Sequence, residues 1–119
     1  MTKVLIVDDS QMVRKVIAKI LWKHECEIFE AANSSKTIEK IKENDPDIVF
    51  LDIVMDTNRS GIDLLIAIKK YNPNIKVVMV TSLSHQDQII KECVDAGADE
   101  YISKPFKEHE ILAAFDNYA

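Results

Sequence analysis

Short apolar runs and amphipathic stretches alternate along the whole chain. Val4 to Val7 is a continuous apolar run rich in β-branched residues. Ile48 to Leu51 is a second, and Ile75 to Val80, broken only by Lys76, is a third. Runs of this kind suit strands buried on both faces. Cys26 to Ala31 and Ala98 to Ile102 are more mixed and suit sheet edges, where one side meets water. Between the runs, apolar residues recur at helical spacing: Met12, Val13, Val16, Ile17, Ile20 and Leu21; Ile38 and Ile41; Ile62, Leu65, Ile66 and Ile68; Ile89, Ile90, Cys93 and Val94; Ile111, Leu112 and Phe115. Ser60 with Asp63, and Ser84 with Asp87, have the spacing of a capped helix start. Gly97 follows the fourth helical pattern, where a left-handed terminus is needed. Pro46 and Pro73 fall in connections.

Five strand–helix units in strict alternation predict a parallel sheet with helices on both faces. With the first, third and fourth strands central and the second and fifth at the edges, the expected order is 2-1-3-4-5. That is the flavodoxin-like, three-layer α/β sandwich. The five units take up residues 1–119, which reads as one domain.

Bulk properties narrow the function. The apolar fraction of 47% is ordinary for a globular protein. No run is long enough to span a bilayer or to form a secretory h-region, so no membrane insertion and a cytoplasmic location are expected. The net charge of −5 repels phosphate backbones and argues against direct nucleic-acid binding. Cys26 and Cys93 lack metal-ligand spacing and read as small buried or half-buried side chains. His24, His85 and His109 read as surface or helix-end residues. Trp22, at the end of the first helix, reads as packed or half exposed.

The candidate chemistry lies at the carboxyl ends of the strands, the rim where ligands bind in open α/β sheets. Strand one ends in Asp8 and Asp9, strand three in Asp52, strand four in Thr81 and Ser82, and strand five in Ser103, Lys104 and Pro105. Three carboxylates at one rim are expected to raise each other's pKa, and a hard cation such as Mg²⁺ would relieve the repulsion. A lysine and a hydroxyl can hold phosphoryl oxygens. A carboxylate can itself be the nucleophile, giving an aspartyl phosphate. Each residue alone has a plainer role as strand end, cap or surface charge. The convergence of four strands on one rim favours the functional reading.

These motifs, Val-Asp-Asp-Ser, Leu-Asp-Ile-Val-Met, Val-Thr-Ser, Ala-Gly-Ala-Asp-Glu-Tyr-Ile and Lys-Pro-Phe in that order, resemble the response-regulator receiver family from Lys3 to about Phe115. The resemblance implies that Asp52 is the phosphoacceptor, charged by a histidine kinase or a histidine phosphotransfer protein. It implies Mg²⁺ (or Mn²⁺) held directly by Asp9, Asp52 and the Val54 carbonyl, with Asp8 helping through water. Thr81, Lys104 and the Ser82 N–H would bind phosphoryl oxygens, and the Lys104–Pro105 bond would be cis. Thr81 and Tyr101 would switch the face formed by the fourth helix, fifth strand and fifth helix, where a downstream target or dimer partner binds. Val54 and Leu83, flanking the path of attacking water, would set the dephosphorylation rate. Such a domain is regulatory and catalyses only its own phosphorylation and dephosphorylation. Asp56 departs from the family, which usually has proline there, and reads as facing water. The loop from Asp56 to Gly61 looks about one residue longer than usual.

Three rivals are weaker. An aspartate-nucleophile phosphohydrolase of the haloacid-dehalogenase type would want Asp-x-Asp after strand one. A flavin-binding module would want a hydroxyl- and glycine-rich loop there. A non-phosphorylated pseudo-receiver could lose Asp52 or Lys104, and both are present.

Overall fold

The computed structural model describes residues 1–57, 59–82 and 87–118. Five strands, β1 (Thr2–Val7), β2 (Cys26–Ala31), β3 (Ile48–Leu51), β4 (Lys76–Thr81) and β5 (Glu100–Ser103), alternate with five helices. These are α1 (Gln11–Leu21), α2 (Ser34–Asn44), α3 (Ser60–Tyr71), α4 (Asp87–Asp95) and α5 (Glu108–Tyr118). All strand pairs are parallel and the order is β2-β1-β3-β4-β5, as the alternation predicts. β3 is buried at every position, whereas β2 and β5 are mostly half-buried, the pattern of central against edge strands.

Successive residues of the central strands feed opposite layers. Leu5, Val7, Val49, Leu51, Val77 and Met79 pack with Ile41 of α2, Ile62, Leu65 and Ile68 of α3 and Cys93 of α4. Val4, Ile6, Ile48, Phe50, Val78 and Val80 pack with Ile17 and Leu21 of α1 and with Ile111, Ala114 and Phe115 of α5. No helix among the described residues is long and apolar enough to cross a membrane.

Local chemistry explains most boundaries. Ser10 caps α1 by accepting from the Val13 N–H at 3.3 Å, and Asn33 caps α2 through the Lys36 N–H at 2.9 Å. Gly97 takes φ +98° after α4, the left-handed terminus its position predicts. The start of α3 differs from expectation. Ser60 is not the cap but a buried first helical residue, and Arg59 occupies the cap position with no side-chain cap bond. The Ser60 hydroxyl instead closes the preceding loop, accepting from the Thr57 N–H at 2.6 Å and donating to the Thr57 carbonyl at 3.2 Å. The Ser84 cap expectation lies outside the described residues, as does His85.

Candidate functional site

Backbone hydrogen bonds carry the sheet ladder one residue past the strand ends and fix the rim. The Asp8 N–H donates to the Ala31 carbonyl at 3.2 Å, the Asp52 N–H to the Val7 carbonyl at 3.0 Å, and the Lys104 N–H to the Thr81 carbonyl at 3.1 Å. Asp8, Asp52, Thr81 and Lys104 therefore stand side by side although they come from four strands. Asp8 is 2% exposed and Asp52 7%; Thr81 is buried, and Asp9 is exposed.

Both Asp8 oxygens have partners within the fold. Oδ1 accepts from the Ser10 N–H at 2.9 Å, and Oδ2 accepts from Lys104 Nζ at 2.7 Å. Arg14 adds a clamp from α1, donating to the Asp8 carbonyl at 2.8 Å while its Nε holds Glu30 at 3.0 Å. Lys104 Nζ also lies 3.4 Å from Asp52 Oδ2, so one cation serves two buried carboxylates. Its own pKa is raised: burial pulls it down, but the hydrogen bond to Asp8 and the two carboxylate charges outweigh that.

The Asp52 carboxyl is pushed above its usual range, as the crowding of acids suggests, but the leading cause differs. Burial comes first; the Lys104 charge opposes it, the Asp8 charge adds to it, and hydrogen bonds from Lys104 and Thr81 oppose it. Desolvation comes first because Asp52 is almost fully buried, and the Lys104 charge opposes both it and the Asp8 repulsion. The sign has a consequence for stability. A raised native pKa means that ionised Asp52 costs stability. The loss sets in as pH rises from about 3.9, the usual unfolded value, through the raised native value. Asp52→Asn should therefore raise the melting temperature at pH 7 in chelator, with the gain shrinking below about pH 3.9. Thermal melts at the two pH values check this, and a lower melting temperature at pH 7 would contradict it.

One oxygen of each of Asp8, Asp9 and Asp52 lies within 4.8 Å of the others. An all-oxygen, all-carboxylate set fits a hard divalent cation of the Mg²⁺ class. With Asp8 committed to Ser10 and Lys104, Asp9 is the carboxylate most open to a direct metal bond.

The remaining site candidates fall around this notch. Val54 is half-buried and packs against the core, and Ser82 is exposed on the turn after β4. The Lys104–Pro105 peptide is cis. Tyr101 packs against the layer containing Cys93, with its hydroxyl buried and without a hydrogen-bond partner among the described residues. Burial, followed by nearby Cys93 and Asp52, pushes its pKa up to about 12. Asp56 is exposed, as expected, and also accepts from the Ser34 N–H at the start of α2 at 3.2 Å. Leu83 lies outside the described residues.

Sequence reasoning missed three supporting residues: Ser10, Arg14 and Gly61. The Gly61 N–H donates to the Ile53 carbonyl at 2.7 Å. A Cβ on Gly61 would fall on the Asp52 carbonyl oxygen and the Ile53 Cα. The acceptor backbone and the first turn of α3 touch there with no room for a side chain. A signal was available, since the chain has only two glycines.

Comparison with known proteins agrees with this geometry. The response regulator receiver domain pattern matches residues 4–116. The chain is 40% identical over 116 residues to the chemotaxis protein CheY of Halobacterium salinarum, covering 97% of this chain and 94% of that one. It is 37% identical over 115 residues to the chemotaxis protein CheY of Thermotoga maritima, covering 96% and 94%. Among solved structures, a CheY-like receiver domain protein from Methanospirillum hungatei superposes with a TM-score of 0.91 at 28% identity, covering 98% of this chain and 92% of that one. The BeF3-activated DrrB receiver domain superposes with a TM-score of 0.85 at 27% identity, covering 99% and 97%. The chain belongs to the response regulator receiver domain family: it is a regulatory domain of the phosphoacceptor type used in two-component signalling.

Proposed function

We infer that this domain is a phosphorylation switch in which Asp52 accepts a phosphoryl group from the phosphohistidine of a kinase or phosphotransfer protein. The observation that carries the reading is one ammonium, Lys104, set between buried Asp8 and Asp52 beside an exposed third carboxylate, Asp9. An Asp52 carboxylate oxygen attacks phosphorus, the new P–O bond replaces the donor's P–N bond, and the departing imidazole takes a proton from solvent. Asp9, Asp52 and the Val54 carbonyl would hold Mg²⁺ or Mn²⁺, with Asp8 assisting through water. When bound, the metal supplies positive charge opposite the phosphoryl oxygens. Lys104 and Thr81 would bind the phosphoryl oxygens, helped by the Ser82 N–H. Lys104, already held by Asp8, needs little reorganisation during transfer.

The readout is a shift between two states of one fold. Thr81 moves toward the phosphoryl group, and Tyr101, whose buried hydroxyl forms no bond in the described structure, repacks. The face built from α4, β5 and α5 changes, and a downstream target or a dimer partner reads it. The domain works in the cytoplasm and is neither a nucleic-acid binder nor a hydrolase of free phosphate esters. The test is incubation with Mg²⁺ and a small phosphodonor, followed by intact mass and phosphate release. A stoichiometric single adduct supports the switch; continued turnover of a phosphate ester supports a hydrolase instead.

The phosphorylated state should be long-lived. By the family resemblance, Val54 flanks the approach of water to phosphorus, and an apolar side chain there would not orient that water; Leu83, the second such position in the sequence, lies outside the described residues. Val54→Asn, which restores one hydrogen bond of ~1 kcal/mol, should speed phosphate loss by about 5-fold. Phosphate release followed in both proteins checks this, and equal or slower loss from the variant would count against the role of Val54.

A further inference from the structure

The loop that follows the acceptor is fastened to α3 at both ends. The Ile53 carbonyl accepts from the Gly61 N–H at 2.7 Å, and the Thr57 N–H donates to the Ser60 hydroxyl at 2.6 Å. Residues 54–56 lie between these ties. Packing of Val54 and Met55 against the core keeps them down, but apolar contact is not directional and does not aim a carbonyl. The Met55 N–H donates only within the loop, to the Thr57 carbonyl at 3.3 Å. Among the described residues, the hydrogen bond that ties residues 54–56 to another element runs from the Ser34 N–H to Asp56 Oδ2 at 3.2 Å. Its α2 end is firm. Asn33 Oδ1 accepts from the Lys36 N–H at 2.9 Å, and the Asn33 carbonyl accepts from both the N–H and the hydroxyl of buried Thr37, at 3.0 and 2.8 Å. α2 has no acid in its own first turn, where a negative charge is favoured. Asp56 supplies one from 22 positions away.

We propose that Asp56 is a positioning residue for the metal: by capping α2 from the loop, it fixes the peptide that presents the Val54 carbonyl. This role presupposes the Mg²⁺ site inferred for Asp9, Asp52 and Val54. Simple attraction between Asp56 and the cation fits less well. Asp56 is not one of the three carboxylates that converge within 4.8 Å, and its Oδ2 is engaged at the start of α2. The Asp56 side chain is exposed, so water competes for the bond and its share of overall stability is small. Its effect is directional: it holds the middle of the loop to a helix end that is itself held. Groups that orient a metal ligand without touching the ion tune affinity in this way.

Two substitutions remove the bond from opposite ends. Asp56→Ala deletes the acceptor. Ser34→Pro deletes the donor and leaves every charge in place. Proline suits that position, the first residue of α2 after an extended Asn33 (φ −156°, ψ 173°). Mg²⁺ is titrated calorimetrically into the full chain without phosphodonor. Each variant should bind it about fivefold more weakly, and the double variant should be no weaker than either single one. Asp56→Asn keeps an acceptor oxygen and should bind nearer to wild type, and Ser34→Ala, which loses only the hydroxyl, should match it. Thermal melts in chelator close to wild type show that the variants fold. Wild-type Mg²⁺ affinity in Asp56→Ala or in Ser34→Pro overturns the proposal, as do losses that add in the double variant. Asp56→Asn as weak as Asp56→Ala, with Ser34→Pro unaffected, overturns it in favour of a pure charge effect. A wild type that binds no Mg²⁺ overturns the metal site itself and this role with it, an outcome distinct from a wild type that binds and variants that bind equally well.

Discussion

Lys104→Met should destabilise the domain by about 3 kcal/mol at neutral pH, the lower end of the cost of removing one partner from a buried ion pair. The side chain keeps similar bulk, so the loss is mainly one of charge. Asp8, almost fully buried, loses the ammonium 2.7 Å away and keeps only the Ser10 N–H; Asp52 loses the same cation at 3.4 Å. The lower end applies because the Lys104 side chain retains 21% exposure and water screens part of the interaction. The pH dependence follows from the raised Lys104 pKa. Its stabilising contribution is complete below about 10.4, the unfolded lysine value, and is lost as pH rises through the higher native value. Urea unfolding of wild type, Lys104→Met and Lys104→Met/Asp8→Asn checks the account. The double variant should recover much of the loss, since the harm comes from an uncompensated buried charge. A single variant as stable as wild type would show that Lys104 is not what stabilises the buried acids.

Gly61→Ala should cost about 2 kcal/mol and slow phosphorylation together. Helix propensity alone would favour alanine by ~1 kcal/mol. Against that, the added Cβ would meet backbone atoms of Asp52 and Ile53, which cannot swing aside as the end of a side chain can. Overpacking against a fixed neighbour costs ~1–3 kcal/mol, and here it must displace the acceptor segment or the first turn of α3. Because that segment carries Asp52, the damage reaches the chemistry: positioning is most of what phosphoryl transfer asks of a protein. Urea unfolding and the rate of adduct formation are the two readouts. Wild-type values in both would contradict the packing argument.

These two residues show what was and was not legible in the sequence. The fold was legible because its signals are local: β-branched runs for the central strands, mixed runs for β2 and β5, and a helical period between them. The rim acids were legible because strict alternation sends every strand's carboxyl end to one side. The pairing of Lys104 with Asp8 was not, since it joins residues 96 positions apart and depends on side-chain reach. Arg14 looks like ordinary surface charge on an amphipathic helix until its contact with the Asp8 carbonyl is seen. Gly61 has no side chain to fit a pattern, and its importance lies in the space that it leaves. Ser60 was misplaced because a serine before a helix has two uses, capping the helix or closing the loop, and spacing alone does not separate them. The exposed residues of α1 fitted the helical period as well as the buried ones did. Periodicity identified the helix without revealing how much of its apolar surface the core would cover.

The central claim is that Asp52 is the single acceptor. Its most direct test is intact mass of wild type and Asp52→Asn after incubation with a small phosphodonor, with Mg²⁺ and with chelator, followed by mapping of the modified residue. The account predicts one phosphoryl group per chain on Asp52 with Mg²⁺, little in chelator, and none on Asp52→Asn. Labelling of Asp52→Asn at the wild-type rate, or an adduct mapped to Asp8 or Asp9 in the wild type, would contradict it.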